Sequence, residues 1–369
     1  MDNFTQMLSA GMRERGHEVQ IWYPHQILSK LAVGDFSKKW LGYMDQYFLF
    51  PLTIRLRLNS CIKDTLFVFT DQALGPWIPL VRHKKHIVHC HDFLALQSAN
   101  GSIPHNRTRW SGKLYQQYIK KGFIQGKNFI AVSKNTSEQL KRIHPEITTR
   151  NKVVYNGLNK TFYMLGRDNA RINVSAETGV DLSGGYILHV GGNQWYKNRR
   201  GVLEIYNAWR HISKQNLPLL LIGESPSAAL QQQVLLSPYK RDIYFVSNKG
   251  DQFVQRAYSG ATVLLFPSLA EGFGWPIAEA MSCGCPVITT NKAPMTEVGA
   301  EAAFYIDVRP SDSKEIPFWA YASADILESI THITGEELQL IVSRGVENSK
   351  RFNLDDALDQ IEQIYLEVE

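Results

Sequence analysis

Two glutamates, Glu271 and Glu279, bracket Gly272, Phe273, Gly274 and Pro276 in the stretch EGFGWPIAEA, residues 271–280. Proline suits a first helical turn, where its missing N–H would have had no partner, and the glycines let the backbone come close to a ligand. The amides and dipole of such a helix start favour an anion, so a diphosphate lying over residues 273 to 277 is the chemistry this stretch suggests. Glu279, expected in the first turn, is a poor neighbour for phosphate but accepts two hydrogen bonds from vicinal ribose hydroxyls. Glu271, ahead of the glycines, suits sugar hydroxyls or positive charge developing at an anomeric carbon. A plain strand-loop-helix connection, with Glu279 merely facing the dipole, also accounts for the isolated pattern.

Two further stretches carry candidate chemistry. In HVGGNQWYKNRRG, residues 189–201, the turn at Gly191 and Gly192 precedes Lys197, Arg199 and Arg200, a natural place for diphosphate charge or for a solvated helix start. In HCHDF, residues 89–93, His91 could bind a hydroxyl of donor or acceptor, with Asp92 orienting it. His86, His89 and His91 also alternate like metal ligands, but no further Cys or acidic partner accompanies them. Lys38, Lys39, Arg55 and Arg57 lie among Trp40, Tyr43, Tyr47 and Phe48, a mixture that suits a membrane interface or an ordinary helix pair packed on a sheet. RWSGKLYQQYIKKGF, residues 109–123, has the same character and could line an acceptor side.

Positioning such residues requires strands that end at the site. Short apolar runs alternate with amphipathic stretches throughout, the pattern of parallel sheets in doubly wound α/β domains. Strands are expected at 18–24, 65–70, 86–92, 128–133 and 152–157, and again at 186–192, 217–223, 242–247, 261–268 and 286–290. Between the two sets, GRDNARINVSAETGVDLSGG, residues 166–185, is polar and without periodicity, as an interdomain connection would be. The expected plan is a first domain over 1–165, the linker 166–185, a second domain over 186–350 and a helix over 351–369 that could return to the first domain. The chain opens inside a helix, so an opening strand and its glycine-bearing turn look absent; a start placed too late is the preferred explanation.

At 369 residues, two domains are the natural division, and 44% hydrophobic with 20% charged residues argues against disorder. A net charge of +5 suits anionic substrates or an acidic membrane surface but is far from a nucleic-acid-binding signature. Cys61, Cys90, Cys283 and Cys285 have no metal-type spacing, and a chain of this size needs no disulfides. The longest apolar candidate, YFLFPLTI at 47–54, is short and interrupted by Pro51, and no signal-peptide core is present. A cytoplasmic protein, working if anywhere on the cytoplasmic face of a membrane, is expected.

Taken in order, RGHEV, the HD after a strand, AVSKNTSEQL, VYNGLNKTF, VGGNQWYKN, FPSLAEGFGWPIAEAMSCGCPVITT and APMTEVGAEAAFYID resemble the retaining glycosyltransferases of the GT-B fold, in the large family-four group. The resemblance covers nearly the whole chain, and two glutamates with seven residues between them in that context are highly specific. It implies two Rossmann-like domains facing a cleft, a nucleotide-diphosphate sugar donor (UDP- or GDP-linked), a saccharide or lipid-linked saccharide acceptor, and no metal or other cofactor. It further implies that Glu271 contacts the donor sugar, Glu279 the ribose and Lys197 the phosphate, with Phe273 and Gly274 giving main-chain amides and His91 lying near the sugar and acceptor. Gly192 and Asn193 stand where the family often has an arginine, so Arg199 or Arg200 is expected to supply the second cation. A nucleotide-sugar epimerase and a non-catalytic nucleotide-sugar-binding or membrane-associated partner protein are the alternatives.

Overall fold

Runs such as LLLI at 219–222 and VLLF at 263–266 show no alternation because both faces of a parallel sheet are covered, and every one of these residues is buried. The computed structural model describes residues 2–103, 106–147 and 150–368. The chain divides into two units: Met1–Val132, Thr136–Val154 and Leu358–Glu369 form one, Ser133–Asn135 and Tyr155–Ala357 the other.

Among the described residues, the first unit carries a parallel sheet of β1 (Phe67–Phe69), β2 (His86–Cys90), β3 (Phe129–Ala131) and β4 (Asn151–Val153), in that spatial order. Its core gathers Val88, Cys90, Phe123, Phe129 and Leu140. The helix Asp2–Glu14 lies over this sheet through Phe4, whose ring meets the His91 ring edge-on at 4.6 Å. The strand expected at 18–24 does not form. Trp22 packs edge-on against Phe67 of β1 and the Val19 carbonyl accepts from the Arg13 side chain, so the apolar alternation there is used for packing without a hydrogen-bonded ladder.

The second unit holds β5 (Ile187–Val190), β6 (Leu219–Ile222), β7 (Ile243–Val246), β8 (Val263–Phe266), β9 (Val287–Thr290) and β10 (Phe304–Ile306). All pairs are parallel and the order is β10-β9-β8-β5-β6-β7. β10 is a three-residue edge strand that its local sequence does not announce. Helix Arg199–Ile212 buries Val202, Ile205, Tyr206 and Trp209 at helical spacing against the sheet, beside Trp319 and Leu327.

The polar stretch 166–185 is not an irregular connection. Residues Arg167–Thr178 form a helix that buries Ala170 and Val174, one turn apart, and its Arg171 donates to the Gly260 and Ser183 carbonyls. Two apolar contacts per twelve residues leave too weak a periodicity to read. Cys90, Cys283 and Cys285 are buried, and all four cysteines are unpaired. Among the described residues, no helix is long and apolar enough to cross a membrane.

Candidate active site

From β5 the chain runs outward to β6 and β7, then returns to place β8 on the other side of β5. Strand order therefore reverses between β5 and β8, and open α/β sheets bind ligands beyond the carboxyl ends of strands at such a point. The two loops that leave these strands are laced together. Leu269 N–H donates to the Tyr196 carbonyl at 2.8 Å, with Ser268 Oγ also 2.8 Å from that oxygen, and Asn198 Nδ2 donates to the Pro267 carbonyl at 2.8 Å. Asn198 takes a left-handed φ of 52°, which asparagine tolerates, and its Oδ1 accepts from Gly201 N–H to cap the next helix.

This lacing delivers Lys197 to Glu271. Lys197 Nζ lies 2.9 Å from Glu271 Oε1 and 3.1 Å from Oε2, and Ser268 Oγ donates to Oε1 at 2.6 Å. The side chains are 16% and 8% exposed, and the ammonium also sits 5.2 Å from the Phe266 ring centroid. A half-enclosed cation and carboxylate so placed can hold a phosphate and a sugar hydroxyl side by side.

Gly274 caps the helix Trp275–Ser282 at φ 105°, a conformation that a side chain would strain, and Phe273 is anchored against Tyr155, Trp275 and Phe352. Because this helix begins at Trp275, Glu279 falls in its second turn rather than its first. Glu279 Oε2 accepts from the buried Tyr258 hydroxyl at 3.0 Å. Desolvation pushes the Glu279 carboxyl up to about 7; the Tyr258 hydrogen bond and the Lys197 charge oppose the rise, and Asp251 adds to it. Ser133 Oγ donates to the Gly272 carbonyl at 2.8 Å and so fixes the turn between the glutamates, a contact that no local pattern foretells.

The two arginines part from one another. Arg199 is 5% exposed, and its Nη1 donates to Asn193 Oδ1 at 2.9 Å and to the Glu224 carbonyl at 2.8 Å. It ties the loop after β5 to the loop after β6. Its Nε and Nη2 are buried without hydrogen-bond partners among the described residues. Arg200 turns to Glu204 at 3.1 Å, a carboxylate that also holds Arg309. Gly192 and Asn193 lie in the laced loop, with Asn193 N–H donating to Glu224 Oε2 at 3.0 Å. Sequence placed both arginines near the helix start, but helical rotation sends one inward and the other outward. His189, one strand residue before the turn, is fully buried; it donates from Nδ1 to the Leu265 carbonyl at 2.9 Å, and desolvation brings it down to about 3.

In the first unit, His91 follows β2. Its Nε2 is 2.9 Å from the Thr70 carbonyl, so that nitrogen carries the proton. Asp92 Oδ1 accepts from Leu94 N–H at 3.0 Å. The alternating histidines have separate partners: His86 meets the Lys84 carbonyl, and His89 meets the Tyr365 hydroxyl at 2.6 Å.

Residues 184–316 match the sequence profile of the glycosyl transferases group 1, and residues 1–162 match that of glycosyltransferase family 4. The O-antigen chain mannosyltransferase B of Escherichia coli is 31% identical over 183 residues, 49% of this chain and 45% of that protein. The O-antigen chain mannosyltransferase RfbU of Salmonella typhimurium is 24% identical over 245 residues, 66% of this chain and 61% of that protein. The chain thus matches about half the length of these relatives. WaaG, a glycosyltransferase involved in lipopolysaccharide biosynthesis, shares the fold at a TM-score of 0.69 and 13% identity, over 99% of this chain and 95% of that one. Anabaena HepE, solved in complex with UDP-glucose, aligns at 0.63 and 16% identity, over 85% and 81%. With the two profiles spanning most of its length and the fold shared with both solved structures, the chain belongs to the family-four, group 1 glycosyltransferases of GT-B fold.

Proposed function

We propose that the chain transfers a hexosyl group from a nucleotide-diphosphate sugar to a hydroxyl acceptor with retention of anomeric configuration, in polysaccharide or glycolipid synthesis. The observation that carries this reading is the Lys197–Glu271 pair at the point where strand order reverses. A diphosphate over the start of helix Trp275–Ser282 would draw Lys197 away from Glu271 and free that carboxylate for sugar hydroxyls. Glu279, held by Tyr258, would accept from the ribose. Phe273 and Gly274 present main-chain amides. His91 is assigned to a hydroxyl of the sugar or acceptor.

The acceptor oxygen would approach on the leaving-group side, and the departing phosphate would take its proton. The charge on the diphosphate is met by Lys197 and helix amides, so the reading requires no metal ion. The reading takes a GDP- or UDP-linked hexose as donor and a saccharide, free or lipid-linked, as acceptor, used at the cytoplasmic face of a membrane; that two relatives are O-antigen chain mannosyltransferases supports the hexosyl transfer. Incubation with nucleotide sugars and a lipid-linked saccharide, with and without EDTA, tests this by mass and by the anomeric coupling of the product. An inverted linkage would sink retention, loss of activity in EDTA would sink metal independence, an isomerised donor without acceptor would indicate an epimerase, and binding without turnover would indicate a non-catalytic protein.

A further inference from the structure

The helical stretch Asp35–Leu58 of the first unit buries Phe50 and Ile54 on one side and leaves an apolar row bare on the other. Phe36 (79% exposed), Trp40, Met44, Phe48, Leu52 and Leu56 (74%) recur every fourth residue. A four-residue repeat drifts around an α-helix of about 3.6 residues per turn. The wider π turn at Asp45–Leu49 takes back part of that drift and keeps the row on one broad face. A second row, Trp110, Leu114 and Tyr118, is exposed on the helix Trp110–Phe123. Tyr47 joins the two: its hydroxyl is 2.6 Å from that of Tyr115, and its ring lies 5.7 Å from that of Tyr118.

Charge says what covers this face. Residues 27–63 hold six Lys and Arg against two acids, and residues 107–121 hold five Lys and Arg and no acid, in a chain whose net charge is only +5. One of the two acids, Asp45, is buried and accepts backbone N–H groups of Ile27, Leu28 and Ser29, so it does not offset the surface charge. An apolar row flanked by cations, including the exposed Lys38, Lys39, Arg55 and Lys113, complements a sheet of anionic headgroups over hydrocarbon.

We infer that this face seats the first unit in the plane of an anionic lipid bilayer, the Phe36–Leu56 row entering the acyl boundary and the flanking lysines and arginines meeting phosphate headgroups. The assignment deepens the membrane element of the proposed function by naming the surface and the lipid chemistry, and it is independent of donor chemistry. Co-sedimentation of the full chain with vesicles free of any saccharide lipid keeps the two separable. Vesicles of 30% phosphatidylglycerol in phosphatidylcholine should bind the chain at least tenfold more tightly than pure phosphatidylcholine. Trp40→Ser with Phe48→Ser should remove most of that binding, and Lys38→Glu with Lys39→Glu should remove its dependence on anionic lipid. Circular dichroism and a cooperative thermal melt serve as the measure that each variant is folded. Equal partition of folded variants and wild type would overturn the assignment, as would no vesicle binding at all, or a dimer in light scattering that Trp40→Ser with Phe48→Ser dissociates.

Discussion

Lys197 and Glu271, separated by 74 positions in the chain, meet in a two-oxygen ion pair of 2.9 and 3.1 Å beside the Ser268 hydroxyl. Each is the other's main electrostatic partner before any ligand arrives, so a donor must take over both ends of the pair.

Glu271→Ala is expected to lower the rate of transfer by about 10²–10³ while changing nucleotide affinity only a few-fold, because the proposed function confines its role to the sugar. Lys197→Ala is expected to lower both. Steady-state kinetics beside calorimetric titration with the nucleotide separate them, and matching losses in the two variants would refute the division of roles.

Glu279 gives a pH dependence with a definite sign. A carboxyl raised from its ordinary 4.5 to about 7 makes the folded state hold a proton that the unfolded state releases. Its contribution to stability is therefore full below about 4.5 and is lost as pH rises through about 7. Binding runs the other way: the carboxylate form accepts ribose hydroxyls, so affinity for a sugar-capped diphosphate should rise between pH 6 and 8. In Glu279→Gln that rise should flatten, and the melting temperature should gain on wild type as pH increases; an unchanged slope in both measurements counts against the assignment.

Arg199→Lys should destabilise the chain by about 1–3 kcal/mol, since an ammonium cannot span Asn193 Oδ1 and the Glu224 carbonyl as a guanidinium does. Arg200→Ala should stay within about 0.5 kcal/mol, because Glu204 keeps Arg309. Thermal denaturation of the pair checks this, and the reverse ranking would return Arg200 to the site.

Ser268→Ala removes the hydrogen bond to Glu271 and leaves Lys197 in place. A roughly tenfold lower turnover with near-normal nucleotide affinity is the expected result. Weaker nucleotide binding at normal turnover would show that Ser268 serves Lys197 instead.

Legibility in the sequence followed how local each cause is. β6 and β8 are continuous apolar runs, and the glycine-flanked helix start of residues 272–276 is written in adjacent residues, so both could be read. The direction of Arg199 against Arg200 depends on helical phase, and the Ser133 bond to Gly272 spans 139 positions, so neither leaves a local trace. Residues 18–24 have a strand's alternation, yet strand formation also needs a ladder partner, which sequence does not supply. The helix 167–178 was hidden because its buried side consists of Ala170 and Val174 alone.

The order β8-β5-β6 has a consequence for how the protein comes into being. β5 can pair with β6 after a short loop and helix, but its other edge waits for β8, which the chain reaches only after β6 and β7. Contacts of such long sequence separation close late and at an entropic cost. Lys197 therefore has no Glu271 to meet until the chain has been made through β8, and the assembled ion pair marks β5 and β8 as joined. A nascent chain stalled before Val263 would carry the lysine and the asparagine cap, yet lack both Glu271 and the Pro267 carbonyl that holds the asparagine.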